Sequence, residues 1–132
     1  MTAQEIFDKV YTHLLVQRYP SMSDPGDEAD AGRAICMYRG VSGRSCAVGC
    51  LISDDAYLPM LENLIATNIH VVTALENSGI EVTEGIEHML NELQAVHDGL
   101  SQSAIGFTEA TIGSQMRNIA EKYSLAYRVL QP

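Results

Sequence analysis

The three cysteines of this chain all fall within one short stretch, I-C-M-Y-R-G-V-S-G-R-S-C-A-V-G-C-L-I, and they are the first residues that could do chemistry. Cys36, Cys46 and Cys50 could hold zinc together with His97 or His88, because thiolate and imidazole groups are ligands that zinc prefers. The spacing argues against such a site, since Cys50 lies inside an apolar run and Cys36 lies across a glycine turn from the other two. We therefore interpret the cysteines as core thiols and predict no metal and no cofactor.

A thiol enzyme is a second interpretation of the same residues. Cys46 could act as a nucleophile if His97 removed its proton and Asp98 oriented the imidazole, as in cysteine hydrolases. His97 and Asp98 come directly before Gly99, however, where a histidine often serves only to satisfy the last carbonyls of a helix. We therefore predict that the protein is not an enzyme.

Arginines flank the glycine turn and could bind an anion. Arg33, Arg39 and Arg44 are three of the eight basic residues, and guanidinium groups beside exposed backbone N–H groups bind phosphate or carboxylate. Tyr38 could stack on a nucleotide base at the same place. The simpler interpretation is that these arginines pair with acids of the loop at 24–30 or of the helices.

The charge of the chain is unevenly distributed. The net charge is −9, and no Lys or Arg occurs between Arg44 and Arg117, whereas ten acids do. Such a surface repels a phosphate backbone, so direct binding of DNA or RNA is disfavoured. It attracts a basic protein surface, although the charge could also serve only to keep the protein soluble. The acids expected to contact a basic partner are Asp54, Asp55, Glu84, Glu87 and Glu92.

Four stretches have the apolar spacing and the capping residues of helices. Thr2 and Glu5 form a capping box ahead of a helix over residues 3–17. Asn68, Thr83 and Thr108 can cap three more helices, which we predict at 69–77, 84–97 and 109–123. Glycines at 79 and 99 are predicted to end the second and third of them.

The remaining elements are predicted to be strands. Residues 34–38 and the apolar run from Cys46 flank R-G-V-S-G-R, which is typical of a β-hairpin whose glycines supply the turn. The run A-V-G-C-L-I is compatible with a strand or a short buried helix, and we predict a strand through Ala47 followed by a helical turn. Leu125, Tyr127 and Val129 alternate with polar or small residues and indicate a third strand. We therefore predict an α+β fold, a mostly helical single domain over residues 1–132, with a small antiparallel hairpin or three-stranded sheet. The acidic segment at 24–30 is predicted to be a solvated loop.

Two sequence features bear on where the protein works. No apolar run is long enough to cross a bilayer, and the start of the chain lacks the basic and apolar regions of a signal peptide. An odd number of cysteines does not suit a secreted disulfide framework. We therefore expect no membrane partner, and a location in the reducing cytoplasm of a bacterial host cell.

The stretch from Cys36 to Tyr57 has the pattern C-x-Y-R-G-x-x-G-x-x-C-A-V-G-C-L-I-x-D-x-x-Y. The chain also has an amphipathic start, E-I-F-D-K-V-Y-T-H-L-L, and the segment N-E-L-Q-A-V-H-D, which contains Gln94, His97 and Asp98. By these features it resembles a family of small, largely uncharacterised proteins of tailed phages and prophages. The resemblance implies accessory proteins that block a host or defence component or sequester a signalling nucleotide.

These observations together favour binding over catalysis. We expect an acidic phage-type accessory protein that binds and inhibits a host or defence protein, through a basic surface of a nucleic-acid-handling complex. The first alternative is an oligomeric protein that sequesters a small anionic, nucleotide-like ligand at Arg33, Tyr38, Arg39 and Arg44. The second alternative is a thiol- or zinc-dependent enzyme.

Overall fold

The structure, a computed structural model, describes residues 1–22, 36–103 and 105–127. Three short 3-10 turns lie between the first and second helices, at Val41–Gly43, Gly49–Leu51 and Pro59–Leu61. Of the described helices, none is long and apolar enough to cross a membrane. The α-helices are α1 (Ala3–Gln17), α2 (Ile69–Asn77), α3 (Glu84–Ser101) and α4 (Glu109–Lys122).

The predicted caps begin these helices. The Thr2 hydroxyl accepts the Glu5 backbone N–H at 3.1 Å, and the Glu5 carboxylate accepts the Thr2 N–H at 2.9 Å, which completes the capping box. The side chains of Asn68, Thr83 and Thr108 each accept a backbone N–H of the first turn that follows. The four predicted helices are therefore confirmed.

The predicted end of α3 is wrong, because the helix continues through Gly99 to Ser101. Leu100 extends the buried stripe of the helix by one more position. The Ser101 hydroxyl donates to the Asp98 carbonyl at 2.7 Å, which satisfies an acceptor of the last turn. Burial of the last turn therefore outweighs the tendency of a glycine to end a helix.

The core lies where α1, α3 and α4 pack against one another. The turn at Gly49–Leu51 packs on α1, and the residues just before it, 46–48, are completely buried. The helices contribute most of the large side chains with almost no exposure, including Ile6, Phe7, Leu14, Leu75, Leu90, Leu93, Ile112 and Met116.

The predicted sheet is wrong. In the described part of the chain there is no β-strand, and only two isolated antiparallel bridges occur, Met22 with Cys36 and Arg39 with Ser45. The chain is therefore a helical protein over these residues and not an α+β fold. The third predicted strand is not formed either, as far as Tyr127; Val129 lies outside the described residues, like Arg33 and the segment 24–30.

Side chains take the hydrogen bonds that a hairpin would need. The backbone N–H groups of Tyr38 and Arg39 donate to the Glu62 carboxylate at 2.8 and 3.1 Å instead of to a neighbouring strand. On the other side of the glycine turn, the Cys50 N–H donates to the Cys46 carbonyl at 3.0 Å, which is a helical turn. Around the turn only two backbone bonds of the hairpin type form among the described residues, from the Gly40 N–H to the Arg44 carbonyl at 2.9 Å and from the Cys46 N–H to the Tyr38 carbonyl at 3.4 Å.

The two described ends of the chain are joined by a side-chain amide. Gln4 donates Nε2 to the Ala126 carbonyl at 3.1 Å and accepts the Ala126 N–H at 2.8 Å. The Leu125 N–H returns to the Ala120 carbonyl at 2.8 Å, at the end of α4. The segment after α4 therefore lies on α1 as irregular chain.

Candidate functional site

A cavity of about 350 Å³ lies between the cysteine-containing segment and α3, and we call it the cysteine pocket. Cys36, Tyr38 and Cys46 line it from the glycine-turn segment, and Gln94 and Asp98 line it from α3. The loop before α2 forms the third side. The structure thus brings together groups that lie about fifty residues apart in the sequence.

Glu62 fixes the loop side of the cysteine pocket. Besides the N–H groups of Tyr38 and Arg39, its carboxylate accepts the Tyr57 hydroxyl at 2.6 Å. Burial, together with this bond to Glu62, raises the pKa of Tyr57, so the phenol stays protonated. Tyr38 is buried and donates its hydroxyl to the Leu64 carbonyl at 2.5 Å, so its ring does not offer a face to a nucleotide base.

His97 lies completely buried beside this pocket, with both ring nitrogens occupied. The Ser21 backbone N–H donates to Nε2 at 2.9 Å, so Nε2 carries no proton. Nδ1 then holds the ring proton and donates it to Asp98 Oδ1 at 2.9 Å, and Gln94 donates to the same oxygen. Burial opposes ionisation of Asp98, but these hydrogen bonds outweigh it, so the pKa of Asp98 lies below its ordinary value.

The three thiols are held in their protonated form. Burial and the nearby Asp98 carboxylate raise the pKa of Cys36 more than its contact with Ser101, at 3.2 Å, lowers it. Cys46 is completely buried, and burial raises its pKa strongly. Burial also raises the pKa of Cys50, to about 12. None of these environments produces the thiolate that a nucleophile needs.

The donor atoms of Cys36, His97 and Asp98 lie within 4.8 Å of one another, which is a spacing that three metal ligands could have. Their hydrogen bonding does not fit a metal ion, however. One His97 nitrogen accepts the Ser21 N–H and the other holds a proton, so neither lone pair is free for a cation. Because both ring nitrogens of His97 are already hydrogen-bonded, neither can remove the proton of Cys46. The geometry therefore favours neither the zinc site nor the cysteine nucleophile.

The arginines of the glycine turn contact other parts of the same chain. Arg39 pairs with Asp54 at 2.7 Å, donates to the Ile52 carbonyl at 2.6 Å and lies over the Tyr57 ring. Arg44 lies over the Tyr19 ring, 4.5 Å from its centre. Arg39 therefore holds the segment after the glycine turn in place, and the two guanidinium groups have different partners.

The five acids predicted to contact a partner lie in different surroundings. Glu92 pairs with Lys122 of α4, and Asp54 pairs with Arg39. Two others, Glu84 and Glu87, lie in the first turn of α3, where negative charge stabilises a helix. Asp55 is exposed with no ion pair among the described residues.

Large aliphatic side chains are exposed beside α2, a feature that the sequence analysis missed. Leu58 is 54% exposed, Met60 53% and Ile69 68%. The first two form a shallow, mostly apolar depression of about 100 Å³ with one side of α2. The sequence signal was Ile69 on the outer side of α2, away from its buried residues Val71 and Leu75.

Four acids lie on the two chain segments that meet at the end of α2, Asp54 and Asp55 after Ser53, and Glu76 and Glu81 on either side of Ser78. The Ser53 N–H donates to the Ser78 hydroxyl at 2.9 Å, which places the chain after Ser53 beside the end of α2. The Met1 ammonium group also lies there, on the Gly79 carbonyl. We call the whole surface the acid-rimmed face, defined by Leu58, Met60 and Ile69 with the acids Asp54, Asp55, Glu76 and Glu81.

A second cavity, of about 460 Å³, lies between α1, α4 and Tyr127. The rings of Tyr11 and Tyr127 stack with their centres 5.8 Å apart, and their hydroxyl oxygens are 3.2 Å apart. The Arg117 guanidinium lies over the Tyr127 ring, 5.0 Å from its centre. We call this cavity, lined by Tyr11, Gly113, Ser114, Arg117 and Tyr127, the tyrosine pocket. Its residues come from both ends of the chain, so no local pattern could have predicted it.

Comparison with known protein families, with curated proteins and with solved structures gives no match. The resemblance to phage proteins therefore stays a prediction. The function of this chain has to be inferred from the surfaces and pockets described above.

Proposed function

We propose that this protein acts by binding a basic surface of another protein through the acid-rimmed face. The observation that carries the proposal is the exposure of Leu58 and Met60, which line a depression against α2, and of Ile69 at the start of the same helix. Exposed aliphatic groups that lie together, with polar groups around them, are typical of surfaces that contact other proteins.

The aliphatic and the acidic side chains of this face contribute differently to such a contact. Covering a half-exposed Leu58 or Met60 removes apolar surface from water and stabilises a complex by about 1 kcal/mol for each side chain. The acids contribute less to affinity but speed the encounter with a basic surface and disfavour acidic partners. Arg39 already neutralises Asp54, so the attraction comes from Asp55, Glu76 and Glu81, in a stretch that has no Lys or Arg between Arg44 and Arg117.

The chemistry of the partner follows from this arrangement. It is a protein with an apolar patch bordered by Lys or Arg, as found on proteins that handle nucleic acid. In the setting that the phage resemblance implies, this partner is a host or defence protein, and the bound acidic chain inhibits it by covering its nucleic-acid-binding surface.

The proposal is tested with tagged protein isolated from bacterial host cells, followed by affinity measurements on the retained partner. We expect the double variant Leu58→Ser, Ile69→Ser to weaken binding roughly tenfold or more. Asp55→Lys with Glu76→Lys should slow association, most clearly at low salt.

The matched control is Glu121→Lys, which reverses the charge of an exposed acid on α4, away from the acid-rimmed face. Its affinity should stay within about twofold of the unaltered protein, as expected for an exposed site outside the contact. A partner without a basic surface, or equal binding by the Leu58, Ile69 double variant, would show that the proposal is wrong.

A further inference from the structure

We infer that the tyrosine pocket binds a small oxyanion, a phosphate or carboxylate group, with the Arg117 guanidinium as its charged anchor. This site is separate from the acid-rimmed face, and it is not the arginine cluster that the sequence suggested for an anion. Its support comes from three observations on the residues that line the cavity.

The first observation is the state of Arg117. Its guanidinium rests on the Tyr127 ring, and it has no ion pair among the described residues. The acid that also lines the cavity, Glu109, contacts Arg18 at 3.6 Å. Among the described residues no carboxylate therefore competes for the exposed Arg117 N–H groups, and a guanidinium binds oxyanions through paired hydrogen bonds.

The second observation is a surplus of hydrogen-bond donors. Of the two hydroxyls that face each other at 3.2 Å, Tyr11 and Tyr127, only one can donate to the other. The remaining O–H has no acceptor among the described residues. Ser114 and Asn118, which also line the cavity, are exposed and make no side-chain hydrogen bond within the described part of the chain, so each can exchange bound water for a ligand oxygen. The oxygens of an ionised carboxylate are acceptors only, and those of phosphate are mostly acceptors, so both groups can take hydrogen bonds from these donors.

The third observation is Gly113, which lies in the interior of α4 and is buried. A Cβ atom at this position would lie 3.1 Å from the Tyr127 hydroxyl oxygen and 3.4 Å from that of Tyr11. Glycine weakens the interior of a helix, yet here its missing side chain leaves room beside both hydroxyls. The cavity, at about 460 Å³, is larger than a phosphate ion needs, so the oxyanion can be one group of a larger molecule.

The test is a titration of the full ¹⁵N-labelled chain with inorganic phosphate and, separately, with acetate, at an ionic strength held constant with sodium chloride. We expect saturable shifts of the Gly113, Ser114 and Tyr127 amide signals with at least one of the two anions, and the tighter one names the preferred group. Arg117→Gln should weaken binding roughly tenfold or more, the effect of losing a charged hydrogen bond.

Two further variants separate binding from folding. Lys9→Gln removes one positive charge from an exposed position of α1 and should leave the affinity within about twofold. Gly113→Ala should abolish the saturable shifts while the helical circular dichroism is retained. The inference is overturned if neither anion gives a saturable shift at these residues, or if the Arg117→Gln variant binds as tightly as the unaltered chain.

Discussion

Ser21 donates its backbone N–H to Nε2 of His97 at 2.9 Å, and both residues are completely buried. This bond fixes the ring proton on Nδ1, where Asp98 accepts it. Replacing His97 by Leu leaves the Ser21 N–H without an acceptor in a buried place. We therefore expect His97→Leu to lower the free energy of unfolding by about 3 kcal/mol, measured by urea denaturation.

A milder variant distinguishes this role from catalysis or metal binding. Asp98→Asn keeps an oxygen that accepts the Nδ1 proton, so it should cost only about 1 kcal/mol of stability. If His97→Leu unfolded at the same urea concentration as the unaltered protein, the buried hydrogen bonds of His97 would not contribute to the stability of the fold.

Gly49 lies so close to Tyr38 that no side chain fits between them. A Cβ atom on Gly49 would be 2.2 Å from the Tyr38 carbonyl oxygen, which belongs to backbone and cannot rotate away. We expect Gly49→Ala to lower the free energy of unfolding by about 3 kcal/mol. Gly99, inside α3, has open space at its Cβ, and Gly99→Ala should stabilise the protein by roughly 0.5–1 kcal/mol. Equal effects of the two substitutions would contradict this account of the close approach.

His13 makes stability depend on pH. Burial lowers the pKa of this imidazole below its ordinary value of 6.5, although the bond from Nε2 to the Ser45 carbonyl, at 2.7 Å, acts in the opposite direction. The unfolded chain therefore takes up the proton at a higher pH than the folded one. The stability that neutral His13 contributes is complete above pH 6.5 and is lost as the pH falls below that value.

The measurement for His13 is the thermal midpoint at pH 7.5 and pH 5.5. We expect the midpoint to fall at the lower pH, and to fall less in His13→Gln, which keeps a hydrogen-bond donor but has no proton to gain. An identical fall in both proteins would assign the pH dependence to other groups.

The thiols should be unreactive in the folded protein. With a pKa of about 12, Cys50 presents roughly a thousandfold less thiolate at pH 8 than an ordinary cysteine. Cys46 is in addition completely shielded from solvent. Alkylation by iodoacetamide, followed by mass spectrometry, should modify both residues at least a hundredfold more slowly in buffer than in guanidinium chloride. Rapid and selective modification of Cys46 would instead revive the thiol enzyme as an explanation.

The helices were predictable because their signals are local. Thr2 with Glu5, and Asn68, each lie within three residues of the N–H groups that they cap, so spacing alone locates the helix starts. The end of α3 was not predictable in this way. It depends on the burial of Leu100, which is a property of the assembled core.

The hairpin was wrongly predicted because the carboxylate that replaces its partner strand is distant in sequence. Glu62 takes the N–H groups of Tyr38 and Arg39 from more than twenty residues away, and no pattern near the glycine turn indicates such a carboxylate. The side-chain partners at the candidate sites also could not be predicted from local patterns. The partner of Arg39 is Asp54, in neither the acidic loop nor the helices, and Tyr11 meets Tyr127 only after the chain has folded.

The amide of Gln4, bonded to both backbone groups of Ala126, has a consequence for how the protein is made. Helix α1 is synthesised well before α4, against which it packs. Until α4 is made, Ile6 and Phe7 have no final neighbours there and stay open to chaperones or to early collapse on the wrong surface. Native structure in this chain is therefore expected to form after synthesis of α4 is complete, and not progressively from the N-terminus.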